Sequence, residues 1–154
     1  MSQPTAIPVT PAPQAARTRS TTAGAEAAPA GTVVGRKTVL IVHAQPEPTS
    51  LTRTLVETAG QVLRAAGHEV LESDLYGMGW KAVYDEADFP MRVDGRRLDF
   101  VRESGHAYDE GLQPADVVEE QRKVLAADLV ILQFPLWWFG MPAIMKGWID
   151  RVWA

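Results

Sequence analysis

The sequence predicts an α/β fold in which a parallel sheet is buried between helices. Two short apolar runs rich in β-branched residues, 39–42 and 129–132, are typical of strands covered on both faces. Each run is followed by a loop and then by a helical pattern with one apolar face. This order of elements indicates a parallel sheet whose strands are joined through helices.

The first strand and the first helix are predicted within residues 37–67. Residues 37–43 (KTVLIVH) form the strand, and His43 is expected to pack at its end. Thr49 or Ser50 can cap the helix that follows, and Gly67 supplies its C-terminal stop. The residues expected on the core-facing side of this helix are Leu51, Leu55, Ala59, Val62, Leu63 and Ala66.

The middle of the chain carries weaker signals. Residues 68–74 (HEVLESD) suit a shorter second strand close to the sheet edge, but glycines and scattered charges interrupt any period across residues 75–113. We expect this excursion to be short of regular structure, a feature often associated with function. Residues 115–126 predict a helix, and Glu119 and Glu120 are expected to face water. The helical pattern is formed by Val117, Val118, Gln121, Val124 and Leu125.

The third strand leads into an aromatic loop. Asp128 and Pro135 bound the apolar run, and Gly140 with Pro142 marks a turn before the last helix. That helix is expected to face the core with Ile144, Met145, Trp148 and Val152. The loop lies at the carboxyl end of a parallel strand, where open α/β sheets bind ligands.

Composition narrows the classes of function. A chain of 154 residues with a net charge of -4 fits one modest domain and gives no electrostatic case for nucleic acid as a partner. The absence of cysteine excludes disulfides and thiolate chemistry, and it is compatible with the cytoplasm, which we predict as the compartment. No apolar run predicts a transmembrane helix, and three dispersed histidines predict no metal site.

The N-terminal residues differ from the rest of the chain. Residues 1–36 are dominated by Ala, Pro, Thr and Gly, which predicts a disordered tail. A weak likeness to a transit peptide is the alternative for this segment. Residues 37–154 are then the folded domain.

The loop after the first strand is a candidate phosphate site. Its possible donors are the backbone N–H groups of Thr49, Ser50, Leu51 and Thr52, three of their hydroxyls, and the side-chain amide of Gln45. The alternative is an ordinary turn in which Ser50 only caps the helix. The loop lacks Gly-x-Gly-x-x-Gly, which argues against a Rossmann-type nicotinamide site, and Glu47 has the wrong charge to contact a phosphate.

The aromatic loop predicts a surface for a planar ligand. Trp137, Trp138 and Phe139 are consecutive, so their side chains cannot all point into one core. At least one is expected to face a cleft or another subunit. The alternative is that these aromatic residues fill the core or a dimer interface.

Three segments in this order resemble the NAD(P)H quinone oxidoreductases of the flavodoxin-like superfamily. They are LIVHAQPEPTSLT, GHEVLESDLYGM, and the stretch from YDEGLQPADVVEEQ to FPLWWFGMPAIMKGWIDRV. The last is the most specific, because its strand, its aromatic turn and a following Gly-x-Pro-Ala-x-x-Lys-Gly-Trp helix all match. The resemblance covers nearly all of residues 38–153.

The resemblance implies a doubly wound sheet, a homodimer with a site at the subunit interface, and a bound flavin, usually FAD, with FMN possible. It implies that Leu136, Trp137, Trp138 and Phe139 line the isoalloxazine ring, with the last two amides at its N5 and O4 edge. The cofactor-binding residues predicted overall are Gln45, Ser50, Leu51, Thr52, Pro135, Leu136, Trp137, Trp138 and Phe139. Gln45 and Thr52 stand where the family commonly has histidine and asparagine.

The implied reaction is a two-electron ping-pong transfer from NADH or NADPH through the flavin to a quinone. Two alternatives within the same superfamily are a non-catalytic regulatory subunit of potassium-efflux systems and a flavodoxin-like electron carrier. The family continues beyond the position of Ala154 with two more strands and the residues that shape the quinone and nicotinamide site. We therefore expect about three of five strands here, catalytic residues beyond Ala154, an exposed sheet edge at residues 129–134, and impaired activity in this chain alone.

Overall fold

A computed structural model describes residues 35–154 of the chain. The predicted tail, 1–36, lies outside the described residues apart from its last two. The strands are β1 (Thr38–His43), β2 (Glu69–Asp74) and β3 (Leu129–Gln133), and the helices are α1 (Leu51–Ala65), α2 (Phe100–Asp109), α3 (Ala115–Ala126) and α4 (Ala143–Val152), with a 3-10 turn at Glu86–Asp88. None of the described helices combines the length and the apolar character needed to span a membrane.

The strands form one parallel sheet in the order β2-β1-β3. Thr38 of β1 lies opposite Glu69 of β2, and Val39 lies opposite Leu129 of β3. The parallel sheet predicted from the apolar runs is therefore confirmed, with β1 at its centre. Within the described residues β3 is an edge strand, and Leu129 is 52% exposed.

Helices cover both faces of the sheet. On one face, Leu40 and Val42 of β1 pack in a core cluster with Met145 and Trp148 of α4. On the other face, Val39 and Ile41 pack in a cluster with Val56 of α1. Alternate side chains of β1 point to opposite faces of the sheet, so one pair of its apolar residues is buried on each face. The prediction of a doubly wound arrangement is confirmed for these elements.

The predicted inner face of α1 is partly wrong. Ala59 and Leu63 pack against the sheet as predicted. Leu51, Leu55 and Val62, however, are 74%, 46% and 62% exposed. The residues buried instead are Thr52, Val56 and Gly60. The inward stripe of α1 thus carries a threonine and a glycine, which a count of apolar residues does not detect.

In α3, the expectation that Glu120 faces water is wrong. Its side chain is fully buried, and its carboxylate accepts hydrogen bonds from Trp148 Nε1 at 2.8 Å and from Lys123 Nζ at 2.6 Å. Both hydrogen bonds are needed, because burying a carboxylate without partners carries a large free-energy penalty of desolvation. Val117 is buried as predicted, whereas Leu125 is 81% exposed.

The excursion at residues 75–113 contains more structure than predicted. Helix α2 lies within it, and Asp99 caps that helix by accepting a hydrogen bond from the Arg102 amide. The buried carboxylate of Glu103 accepts the backbone N–H groups of Val93 and Asp94 at 2.8 and 3.3 Å. Side-chain hydrogen bonds therefore help to hold the excursion, which also buries Leu75, Trp80, Phe89 and Ala107 without a regular apolar period.

A buried charged cluster ties this excursion to α3 and α4. The Arg151 side chain is only 2% exposed and donates to Asp88 Oδ1 at 2.9 Å and to Asp116 Oδ2 at 2.7 Å. Its guanidinium carbon also lies 4.5 Å from the centre of the Trp80 ring. Paired hydrogen bonds of this kind are among the stronger polar interactions in proteins.

The Asp116–Arg151 pair predicts a dependence of stability on pH. Burial by itself raises the pKa of Asp116, but hydrogen bonds and charge from Arg151 outweigh it and hold this pKa below its usual value. A depressed pKa contributes stability above the unfolded-state pKa, and that contribution is lost as the pH falls through the folded-state pKa.

We expect Asp116→Asn to lower the free energy of unfolding at neutral pH by about 1 kcal/mol, since the pair is partly screened by solvent. The difference from wild type should shrink as the pH falls below roughly 4. Denaturant unfolding at several pH values measures it. Glu119→Gln, which removes an exposed pair on the same helix, is the matched control and should have a smaller effect. A difference that grows in acid would contradict the assignment.

Candidate functional site

Two loops meet at the carboxyl edge of the sheet. The first, residues 44–50, follows β1 and is called here the cradle loop. The second contains residues 136–140, called here the aromatic turn, and it follows β3. Since β1 and β3 are neighbours, the loops begin side by side, and the Ala44 amide donates to the Gln133 carbonyl at 3.2 Å. The structure thus brings the two groups of predicted cofactor-binding residues to the same edge.

In the cradle loop, hydrogen bonds within the loop engage two of the four predicted amide donors. The Thr49 amide donates to Glu47 Oε1 at 3.0 Å, and the Ser50 amide donates to the Glu47 carbonyl at 3.2 Å. The amides of Leu51 and Thr52 have no hydrogen-bond partner among residues 35–154. They are the N-terminal donors of α1, so they point out of the helix end toward any bound anion.

Ser50 is the N-cap of α1, as predicted. Its Oγ accepts the Arg53 amide at 3.1 Å. The hydroxyl oxygen therefore serves the helix, and Ser50 has its amide and its side chain both engaged. The predicted capping role of Ser50 is confirmed, and the neighbouring amides of Leu51 and Thr52 remain available to a ligand.

Gln45 lines an open cleft beside the cradle loop. Its Oε1 accepts the Glu47 amide at 3.1 Å, which leaves the side-chain NH2 group for another acceptor. The cleft has a volume of about 580 Å³ and is lined by Gln45, Pro46, Pro48, Arg53, Glu57, Asp74, Tyr76 and Gly77. Arg53 is held there by Glu57 and Asp74 at 3.0 and 3.2 Å. Its charge is thereby already balanced by carboxylates.

His43 lies next to the cleft residue Arg53, with 3.4 Å between His43 Nε2 and Arg53 Nη1. The side chain is fully buried at the end of β1, as predicted, and its Nε2 lies 3.0 Å from Glu72 Oε1. Among residues 35–154, no group of histidines and carboxylates has the geometry of a metal site.

The aromatic turn has an unusual backbone. Trp137 and Gly140 exchange two backbone hydrogen bonds, at 2.9 and 3.0 Å, and enclose Trp138 and Phe139. These two residues have φ angles of 49° and 63°, in the left-handed region that bulky side chains rarely adopt. Each costs about 1–2 kcal/mol of conformational strain. Such strain is typical of binding and catalytic sites.

The strained turn presents two kinds of binding group. The side chains of Leu136, Trp138 and Phe139 are 68%, 97% and 95% exposed, and Trp137 is 44% exposed. The amides of Trp138 and Phe139 have no hydrogen-bond partner among the described residues. The alternative that these aromatic residues fill the core is therefore wrong. Apolar groups exposed together in this way are typical of a ligand or partner surface.

Pro135 lies at the base of the aromatic turn and is half-buried. It follows Phe134, which packs against the core beneath the sheet edge. The sequence located this turn but did not reveal its left-handed backbone, because the glycine that usually signals such a conformation is at position 140, outside the two central positions. The folding of Glu47 back onto its own loop also had no signal in the sequence.

Comparisons with known proteins agree with this architecture. Residues 37–154 match a family model described as the flavodoxin-like fold. Among curated relatives, the ribosyldihydronicotinamide dehydrogenase-like protein traD of Penicillium crustosum is 50% identical over 116 residues, which cover 75% of this chain and 43% of that protein. NAD(P)H dehydrogenase (quinone) 1 of Rattus norvegicus is 46% identical over 114 residues, 73% of this chain and 42% of that protein.

Solved structures give the same result. A candidate quinone reductase from Klebsiella pneumoniae has 53% identity and a TM-score of 0.73, over 76% of this chain and 45% of that one. The NAD(P)H:quinone oxidoreductase of Methanothermobacter marburgensis has 31% identity and a TM-score of 0.57, over 77% of this chain and 53% of that one. The chain spans about half the length of the curated relatives it matches.

Proposed function

The chain belongs to the flavodoxin-like family of NAD(P)H quinone oxidoreductases, and from this membership we propose that it binds a flavin at the carboxyl edge of its sheet. The function that this site would serve is the two-electron reduction of quinones by NAD(P)H. The names of the relatives support an enzyme over a regulatory subunit or an electron carrier.

The strained aromatic turn is the observation that carries this proposal. It places exposed aromatic faces beside the free amides of Trp138 and Phe139. A flavin ring is planar and apolar on its faces, and it has hydrogen-bond acceptors along one edge, so these residues fit it. The strain of two left-handed aromatic residues is retained for a reason other than local stability.

A bound flavin would supply the hydride chemistry that no side chain can perform. The amides of Trp138 and Phe139 would donate hydrogen bonds to the acceptor edge of the ring and stabilise negative charge that develops there. Fixed amide dipoles are effective because they need no reorganisation during the reaction. Leu136 and Trp137 would pack against the flavin ring where it faces the protein and exclude water there.

The cradle loop would hold the phosphate-bearing end of the flavin. The amides of Leu51 and Thr52 and the side-chain NH2 of Gln45 are the donors available for this purpose. We further propose FAD as the flavin, NADH or NADPH as the co-substrate, a homodimer as the assembly and the cytoplasm as the compartment. The flavin, the co-substrate and the homodimer rest on the family resemblance, and the compartment rests on the absence of cysteine.

The test of the proposed function is flavin binding by the purified chain. We expect FAD and FMN to bind saturably, with quenching of flavin fluorescence. Because activity is expected to be impaired in this chain alone, we expect the loaded protein to oxidise NADH or NADPH only slowly when menadione is present. Riboflavin, which has no phosphate, should bind more weakly because it cannot use the cradle loop. The absence of saturable flavin binding would contradict the proposal. Binding without oxidation of either nicotinamide would favour the non-catalytic alternative.

A further inference from the structure

Glu47 is a charged residue inside the proposed phosphate site, where a negative charge is expected to be unfavourable. In the structure its carboxylate is turned back onto its own loop. Glu47 Oε1 accepts both the Thr49 amide at 3.0 Å and the Thr49 hydroxyl at 2.8 Å. These hydrogen bonds lower the pKa of Glu47, first through the Thr49 backbone and then through its side chain, so the carboxylate is ionised at neutral pH.

The backbone of Glu47 makes two further hydrogen bonds within the loop. Its amide donates to Gln45 Oε1 at 3.1 Å, and its carbonyl accepts the Ser50 amide at 3.2 Å. The network spans residues 45–50, and the prolines at 46 and 48 restrict the backbone on either side of Glu47. These hydrogen bonds and prolines together restrict the surface loop to one backbone conformation before the first turn of α1.

The hydrogen-bond network determines which backbone amides remain free to bind a ligand. Glu47 engages the amides of Thr49 and Ser50, while those of Leu51 and Thr52 are left without a partner among the described residues. The four amides expected from the sequence are therefore reduced to two, both in the first turn of α1. A loop already in this conformation has less entropy to lose when a ligand binds.

We propose that Glu47 is a positioning residue, which pre-orders the cradle loop so that the free amides of Leu51 and Thr52 receive the phosphate of a flavin. The inference rests on the proposed function, because it assigns a role within the same site. The opposite role is that Glu47 competes with the phosphate, since a carboxylate on the Thr49 amide occupies an anion-binding donor. The two roles predict opposite effects when the carboxylate is removed.

The test uses Glu47→Ala and Glu47→Gln in the full chain, with affinity for FMN, FAD and riboflavin measured by fluorescence quenching. Glu47→Ala should weaken FMN and FAD binding about tenfold, the effect of one or two lost hydrogen bonds. Riboflavin affinity should not change, because riboflavin has no phosphate. Glu47→Gln retains an oxygen that accepts from Thr49, so it should restore binding to within about threefold of wild type.

Glu86→Ala is the matched control, since this glutamate is exposed and lies outside the cradle loop. Thermal unfolding of each variant should match wild type, which separates positioning from loss of fold. The inference is overturned if Glu47→Ala binds FMN as tightly as wild type or more tightly, or if riboflavin binding falls equally. Absence of flavin binding by wild type itself would overturn the proposed function as well, so the two failures are distinguishable.

Discussion

Replacing Gly147 with alanine is expected to lower the free energy of unfolding by more than about 3 kcal/mol. Gly147 is buried in α4 against the backbone of Ala82, and a Cβ atom there would lie 2.6 Å from both the Cα and the carbonyl carbon of Ala82. The obstruction is backbone, so no rotation of a side chain relieves it. The gain in helix propensity from glycine to alanine, about 1 kcal/mol, is too small to compensate.

Gly105→Ala is the matched control for this prediction. Gly105 also lies inside a helix, α2, but a Cβ atom at that position would have no neighbour within 4 Å. We expect this variant to be as stable as wild type or more stable, by up to about 1 kcal/mol. Denaturant unfolding followed by circular dichroism measures both variants. Similar stability of Gly147→Ala and wild type would show that α4 and the backbone of Ala82 can separate freely.

The close contact at Gly147 illustrates what the sequence could not predict. The apolar pattern of α4 located Met145 and Trp148 in the core, and both are fully buried. The glycine between them has no side chain, so its packing against Ala82 produces no periodic signal. The partner also lies in the excursion at residues 75–113, which depends on charged side chains such as Glu103 and Arg151. Patterns of apolar residues carry no information about such polar contacts.

The elements around β1 were predictable because their residues do form a clear apolar pattern. Residues 39–42 and 129–132 are continuous apolar runs, a pattern typical of strands covered on both faces. Residues 39–42 are buried as this pattern predicts, whereas 129–132 lie in the edge strand β3 and are only partly covered, so burial on both faces is wrong for β3. Once the strands and their helices are assigned, the carboxyl edge of the sheet follows, and with it the position of both loops. Which face of α1 is inward was less certain, because Leu51 and Leu55 form a second apolar stripe beside Thr52 and Val56.

The double variant Trp138→Gly, Phe139→Gly is expected to make the protein more stable and its flavin binding weaker. Glycine adopts positive φ without strain, so the substitution should relieve about 1–2 kcal/mol at each position. Both side chains are almost fully exposed, so their loss removes little packing. Loss of stacking on a planar ring costs about 1–3 kcal/mol per contact, so the loss of two contacts predicts an affinity for FAD lower by roughly 30-fold or more.

The combination of higher stability with lower flavin affinity makes this prediction specific to a binding site. Glycine retains the amide N–H groups at positions 138 and 139, so the change in affinity reports the aromatic faces rather than the backbone donors. Tyr108→Ala, which removes an exposed aromatic side chain from α2, should leave flavin affinity unchanged. Unfolding curves and flavin titrations on the same samples measure both effects. A double variant that loses stability while it binds FAD like wild type would mean that the turn is a structural feature, and that its strain serves no ligand.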